Sequence, residues 1–576
     1  MSLEKRWRFR SAVEAEADAL ARRLGLTAVT ARILLNRGVA DEVAARAMLR
    51  PELAQLHEPS AHPLFEPAAR RIRDAVTRGE RIVVYGDYDV DGISATAILM
   101  RCLALLKADA AFYIPDRMEE GYGLNAAAIR RLAADGTKLL ITVDSGVSAV
   151  AEVALAQELG MDVIVTDHHE PGDVVPATPL LINPKLPGCP YPFRDLSGAG
   201  VAFKLAWAVG RDMSAGARVA PEFRDYLLDA VSLAALGTIA DVVPLMGENR
   251  VLASYGLRGL TASNAPGIRA LREASSATEQ NLTGFDVAFK LAPRLNAAGR
   301  MGSATQAVEM LITSSLDRAR EIAAHLNREN GRRQRIQESI LSDAREMIEE
   351  LDGVQGRSSL VLAREGWHSG VIGIVAARVA ETYWRPTVML TIDSDGAHGS
   401  ARSVGGFNLF EALRKCSARL TGFGGHARAA GLRLKREELD RFREEFEAVA
   451  EDALRPEDMA PVIDIDCEVR LPAITKPLLD EFAQLAPFGE GNAEPMLAAR
   501  GVTLAAGVTR MGSSGQHLCF WINQDGAAFR AVAFGKGDWA DRLHGRKNCS
   551  LAFVPRVNRW QGTERLELDV RDVKVD

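Results

Sequence analysis

The chain has 576 residues, 47% hydrophobic and 25% charged, a length and composition that predict about three or four soluble globular domains. Its formal net charge of -6 argues against a protein that coats nucleic acid through a broad basic surface. The six cysteines (Cys102, Cys189, Cys416, Cys467, Cys519 and Cys549) are too scattered for a disulfide framework or a thiolate zinc site.

The first residues mix Lys5, Arg6, Arg8 and Arg10 with Glu14 and Glu16 instead of forming the apolar core of a signal peptide, and apolar runs such as 231–240 are too short to span a bilayer. The expectation is a cytoplasmic protein without a membrane segment. Residues 13–49 carry two short amphipathic patterns broken at Gly25 and Gly38 and ended by Pro51, predicting an N-terminal helical segment over 1–55. From Arg81 short β-branched runs alternate with alanine-rich helical stretches. Strands are predicted over 82–85, 112–114, 139–143 and 163–166, with one helix capped by Ser94 and running to about 106, and another over 149–159. Such alternation predicts a parallel sheet covered by helices on both faces, assigned to a domain over 56–314.

Further along, Ile336, Ile340, Ala344, Met347 and Leu351 recur at helical spacing in a polar stretch, predicting a long connecting helix over 315–352 that loosens near Gly331. A second α/β domain is read over 353–455, followed by a linker marked by Pro456 and Pro461. The tail, 456–576, offers strands over 502–508, 517–522, 528–534, 551–557 and 566–573 with a turn at 523–526, the strand content of a small barrel such as the OB-fold.

Three predicted strand ends terminate in carboxylates: Asp87 and Asp89 in GDYDVDG, Asp144 in ITVDSG, and Asp167 before His168 and His169 in VIVTDHH. In an open parallel sheet the loops at the carboxyl ends of the strands share one edge, so these groups converge although far apart in sequence. Crowded carboxylates repel one another unless cations neutralise them, and oxygen ligands with one or two imidazoles suit Mn2+ or Mg2+. Two such ions about 4 Å apart activate a water and steady the leaving oxygen in phosphoryl hydrolysis.

GDYDVDG, VDSG, the DHH triplet Asp167 to His169 and ALGTIADVVPL with Asp241 resemble the successive motifs of the DHH phosphoesterase superfamily. The resemblance implies Asp87, Asp89, Asp144, His168 and Asp241 as ligands of two ions, with Asp144 bridging, Asp167 orienting or tuning His168 and His169 facing the substrate. The branch containing family II pyrophosphatases carries a histidine four residues before the first aspartate, where this chain has Val83, and that departure favours the single-strand-specific exonuclease branch.

GFGGHARAAG resembles the signature of the DHH-associated domain through Gly424, Gly425 and His426, and PDRMEEGYGLN, LAPRLNAAGRMG and LAPFGEGNAEP continue the likeness to that branch. By resemblance Arg117, Arg294, Asn296, Arg300, Ser400 and Arg402 hold the terminal phosphate and nearby backbone, arginine suiting the task through its planar fork. Between 401 and 436 the single acid Glu411 stands against Arg402, Arg414, Lys415, Arg419, Arg428, Arg433, Lys435 and Arg436, which reads either as a solvated helix face or as a local basic groove. In the tail, Trp560 with Arg556 and Arg559 is the expected stacking platform, while Phe520, Trp521 and Phe529 read as barrel core.

The implied activity is a metal-dependent 5′ to 3′ exonuclease that releases nucleoside 5′-monophosphates from single-stranded DNA in repair and recombination. By family analogy the expected partners of this monomer are single-strand-binding protein and a RecQ-type helicase. The alternatives are a phosphodiesterase acting on short RNA or cyclic dinucleotides, disfavoured by the long tail, and a non-catalytic single-strand-binding scaffold, disfavoured by the intact acidic set.

Overall fold

The chain opens with a short strand, β1 (Arg6–Phe9), and three helices, α1 (Glu14–Leu24), α2 (Ala28–Asn36) and α3 (Glu42–Leu49). The computed structural model describes all residues except 1–3, 12, 118, 122, 215–218, 352, 561–562 and 576. Thr27 and Asp41 cap α2 and α3 with their side chains, and Gly25 ends α1 in the left-handed conformation at φ 70°. These helices do not build a core of their own. Leu20, Ile33 and Leu34 are buried in one cluster with Leu478, Leu497, Phe520 and Leu551 from the far end of the chain.

After α4 (Phe65–Arg78) the chain alternates through β2 (Ile82–Tyr85), α5 (Val90–Leu105), β3 (Ala110–Tyr113), α6 (Ala126–Ala134), β4 (Leu139–Val143), α7 (Val150–Glu158), β5 (Asp162–Thr166) and β6 (Leu180–Ile182). Every residue of β2 and β4 is buried, as expected for strands covered on both faces. The strands form one parallel sheet in the order β3-β2-β4-β5-β6. The chain leaves β2 for one neighbour and returns to β4 on the other side, so a crevice opens at the carboxyl ends of these two strands. Ser94, the predicted helix cap, is instead buried inside α5; the cap is Asp89, five residues earlier, because the helix begins directly after the carboxylate-bearing turn.

Helices α8 (Gly198–Asp212), α9 (Pro221–Ala240), α10 (Gly247–Ala262) and α11 (Pro266–Ala274) complete this core, α8 and α9 packing on α5. A turn, α12 (Gly284–Asp286), leads through a π-helical stretch, Val287–Leu291, into α13 (Ala292–Met301) and α14 (Thr305–Ile312). The connecting helix α15 (Leu316–Glu350) then runs unbroken for 35 residues, roughly 50 Å. The expected loosening at Gly331 does not occur. Ala319, Ile322 and Leu326 anchor the first half in one core and Ile340, Ala344 and Ile348 anchor the second half in another, so both ends hold the glycine in helix.

The second α/β region comprises β7 (Leu360–Glu365), α16 (Ser369–Tyr383), β8 (Thr387–Asp393), β9 (Gly396–Arg402), α17 (Leu409–Lys415), β10 (Gly422–Gly425), β11 (Ala429–Leu434) and α18 (Leu439–Ala453). Its sheet has the order β10-β11-β9-β8-β7, parallel only between β7 and β8. Beyond it β12 (Val462–Ile465) pairs in parallel with β1. Then come β13 (Cys467–Glu468), α19 (Lys476–Leu485), β14 (Leu497–Met511), β15 (His517–Gln524), β16 (Ala527–Ala533), α20 (Trp539–Leu543), β17 (Asn548–Trp560) and β18 (Thr563–Val575). β14 pairs with both β15 and β17 through register shifts, and this closes the sheet into the expected barrel. No helix among the described residues is long and apolar enough to cross a membrane.

Candidate metal and substrate site

At the end of β2 the motif DYDVD places three carboxylates around the start of α5. Asp89 is its N-cap, accepting from the amides of Asp91 at 2.9 Å and Gly92 at 3.1 Å through one oxygen, which fixes the side chain. Asp91 reaches the first turn of α8, where Gly198 N at 2.6 Å and Ala199 N at 2.9 Å donate to its two oxygens. Asp87 is buried and its Oδ1 makes no hydrogen bond. Asp144, following β4, has φ 59°, a left-handed backbone uncommon for a residue with a side chain and a recurrent form of strain at functional sites. The glycine of α8 permits this packing, since a Cβ on Gly198 would lie 2.6 Å from Asp144 Oδ1. Asp241 closes the carboxyl end of α9.

The ligand atoms of Asp87, Asp89 and Asp144 lie within 4.8 Å of one another, as do those of Asp91, His168 and Asp241 and those of Asp144, His168 and His169. His168 Nε2 stands 3.0 Å from Asp144 Oδ1, 3.6 Å from Asp241 Oδ2 and 3.7 Å from Asp91 Oδ2. Its contact with Asp144 lacks hydrogen-bond alignment, and both ring nitrogens are buried without such a bond. Asp144 and His168 each take part in two of these groups. Asp91 was not among the predicted ligands; its signal was the third acid of the i, i+2, i+4 run in DYDVD.

Burial and then the charge of Asp89 push Asp87 well above the carboxylate range and Asp91 to about 7. Burial, then Asp91 and Asp89, raises Asp241 to about 9 and lifts Asp144 as well. Burial and the neighbouring His169 hold His168 down at about 3, so it is neutral, the form in which an imidazole can ligate a metal. These carboxylates cannot all be ionised near neutrality without a cation among them. Buried acceptors lacking hydrogen-bond donors, in an oxygen-rich set with imidazole, fit Mn2+ or Mg2+.

Asp167 makes no bond to the His168 ring, although its charge acts on that imidazole. Its Oδ1 accepts from the amides of His168 at 2.7 Å and His169 at 3.1 Å and meets His169 Nδ1 at 2.7 Å, while Oδ2 takes the amide of Val147 at 2.8 Å. A carboxylate so close to its own backbone reaches the second ring, not the first. Burial opposes a charge on His169, but the hydrogen bond and charge of Asp167 outweigh it and raise this imidazole to about 9.

Across the crevice, Arg117 lies over the Tyr88 ring at 4.9 Å. Arg300, near the end of α13, donates to Gly370 O at 3.2 Å at the start of α16, and Arg402, on β9, donates to Ala401 O at 2.8 Å. A Cβ on Gly373 would press on both Ser400 Oγ and Arg402 Nη2 at 3.1 Å, so this glycine leaves room for the pair. Arg294 bonds Asn327 Oδ1 at 3.0 Å and so ties α13 to α15, and Asn296 Oδ1 accepts the Val90 amide at 3.2 Å, bracing the DYDVD turn. Gly424 and Gly425 lie on the edge strand β10, and His426 begins the turn to β11 with its side chain exposed.

In the barrel, Phe520 and Phe529 are core, whereas Trp521 points outward with 41% exposure, against the expectation that all three are core. Period-two alternation separates Phe520 from Trp521 but does not say which faces out. Arg556 is engaged by Glu494 at 2.7 Å and Asp569 at 3.1 Å, and Arg559 by Glu564 at 2.9 Å. The side chain of Trp560 lies outside the described part of the molecule.

Profiles of three domain families match the chain: the DHH family, N-terminal domain, over 81–235, the DHHA1 domain over 356–452, and the RecJ OB domain over 465–572. The single-stranded-DNA-specific exonuclease RecJ of Bacillus subtilis is 37% identical across 100% of this chain and 71% of its own length. That of Dickeya dadantii is 36% identical over 87% of this chain and 88% of the relative. The crystal structure of RecJ from Thermus thermophilus in complex with Mn2+ superposes with a TM-score of 0.84 at 32% identity, covering 99% of this chain and 80% of that one. The same enzyme with Mg2+ gives 0.78 at 30% identity, over 99% of this chain and 78% of that one. With the acidic cluster at the sheet's switch point, the second α/β unit and the barrel all matched along the chain, this protein belongs to the RecJ family of the DHH phosphoesterase superfamily.

Proposed function

We propose that the protein is a metal-dependent exonuclease that hydrolyses single-stranded DNA from the end carrying a 5′ phosphate and releases nucleoside 5′-monophosphates. The observation that carries this reading is the buried set of carboxylates and imidazole at the carboxyl edge of the parallel sheet, facing arginines that lack carboxylate partners among the described residues. Asp87, Asp89, Asp91, Asp144, His168 and Asp241 are the residues that would hold Mn2+ or Mg2+, which supplies Lewis acidity for phosphoryl transfer. His169, 39% exposed and raised to about 9 by Asp167, is suited to donate a hydrogen bond to a phosphate oxygen of the strand. Arg300, Ser400 and Arg402 form the proposed pocket for the terminal phosphate, and the barrel extends the grip on longer strands. We further propose a cytoplasmic monomer working with single-strand-binding protein and a RecQ-type helicase.

The first test is Mn2+-dependent release of mononucleotides from single-stranded DNA, duplex DNA and short RNA side by side, with single-stranded DNA expected to dominate. Polarity is tested by Arg402→Ala. Charge-assisted hydrogen bonds contribute roughly 1.5 to 3 kcal/mol, so the variant should lose about ten- to a hundredfold on strands with a 5′ phosphate and much less on strands with a 5′ hydroxyl. Equal losses on both would remove Arg402 from end recognition.

A further inference from the structure

The connecting helix carries a half-buried cation, Arg333, near its middle. Arg333, midway along α15, donates Nη1 to Gln337 Oε1 at 3.2 Å, but its Nε is buried without a hydrogen-bond partner. One turn earlier Asn330, 3% exposed, leaves its Oδ1 equally unbonded. This stretch of α15 lies between the two halves of the substrate side, since the helix packs against α13, which bears Arg300, and against α16, whose Gly370 accepts from Arg300 at 3.2 Å. Burial first, and then the charges of Arg117, Arg333 and Arg402, lower Arg300 to about 10, so these three guanidinium groups stand near enough to act on it. Among the described residues none of the four is paired with a carboxylate, although most arginines elsewhere on this surface have one. Like charges gathered in a partly buried site without a carboxylate ion-paired to them repel one another until an anion arrives.

We propose that Arg333 is a direct contact for a backbone phosphate of the bound strand, so that one nucleic acid is gripped at once by α13, the connecting helix and β9. The inference rests on the single-strand reading above and deepens it: the helix that joins the two α/β regions becomes part of the binding surface and not merely a spacer. A guanidinium with a free Nε and a second edge offers the two parallel donors that a phosphate accepts.

The test is a double-mutant cycle between protein and strand. Equilibrium binding of the full chain to 5′-phosphorylated strands is measured by anisotropy in EDTA, with a neutral methylphosphonate replacing each of the first four internucleotide phosphates in turn and a 5′ hydroxyl replacing the terminal one. At one position neutralisation should weaken binding by wild type about ten- to a hundredfold. Arg333→Gln should lose a similar factor on the fully charged strand and become indifferent to neutralisation at that position, with an unchanged melting temperature. Arg333→Lys, which keeps the charge but not the fork, should fall between the two. If Arg333→Gln responds to neutralisation like wild type at every position, in a chain that binds and hydrolyses single strands, Arg333 is a structural residue and the proposal is wrong. Failure of the wild type to bind single strands at all would overturn both this inference and the functional reading.

Discussion

Asp91 and Asp241, proposed here as metal ligands, would couple metal binding, protonation and stability in this site. Their folded-state values, about 7 and about 9, lie above the ordinary carboxylate value near 4, so between roughly pH 4 and pH 9 the metal-free fold retains protons that the unfolded chain has released. Stability of the metal-free protein therefore falls as pH rises through that window, because the folded state binds more protons than the unfolded one. A divalent cation needs the same groups deprotonated, so its binding releases protons and tightens with pH. The expected outcome is a rise in melting temperature on adding Mn2+ that is larger near pH 8.5 than near pH 6, with calorimetric proton release. A shift independent of pH would mean that these carboxylates do not titrate against the metal. Most of this set was legible because aspartates at the ends of β-branched runs can be read from spacing. Asp91 was missed because its role depends on the amides of α8, more than a hundred residues away. The reach of Asp167 to His169 depends on a local loop conformation that residue types do not specify.

Among the elements, α15 is the one whose continuity matters most, because it is the mechanical link between two cores and carries Arg333 on the way. Gly331 has helical backbone, and a Cβ there would meet only Arg335 Nη1 at 3.6 Å, an ordinary contact. Gly331→Ala should therefore stabilise the protein by about 0.5–1 kcal/mol through the lower backbone entropy of the unfolded chain, read as a higher denaturant midpoint with unchanged slope. Destabilisation would show that the helix uses the glycine as a flex point. Helical spacing had located this element within a residue or two at each end, and the strands of the barrel were likewise placed by alternation. Their full lengths were not, since β14 runs through register shifts that bend it round the barrel, and such bends follow from closure with β17.

For the whole molecule, the two ends of the chain meet. Leu20, Ile33 and Leu34 complete the barrel core, and β1 pairs with β12. Arg250 of α10 is buried and donates to Met48 O at 2.7 Å, Leu485 O at 2.8 Å, Gln484 O at 3.0 Å and Ala486 O at 2.8 Å, joining the N-terminal helices, the DHH core and the barrel at one point. Cutting the chain after Leu454 while keeping residues 1–50 should strip the cover from those helices and lead to aggregation. A chain of residues 51–454, by contrast, should fold, retain Mn2+-dependent hydrolysis of short oligonucleotides and lose affinity for long ones, as monitored by light scattering, melting and anisotropy. Equal solubility of the two truncated chains would show that the shared core contributes little. What the sequence alone determined about this protein is what local order encodes: the alternation of strands and helices, the acids at the strand ends, the connecting helix and the strand-rich tail. Only the tertiary structure decided which acids and imidazoles lie together, which arginines are left without an ion-paired carboxylate, and that helices α1 to α3 pack into the core of the barrel. Those outcomes depend on contacts between residues hundreds of positions apart, where burial and charge are set by the partner and not by the neighbours in the chain.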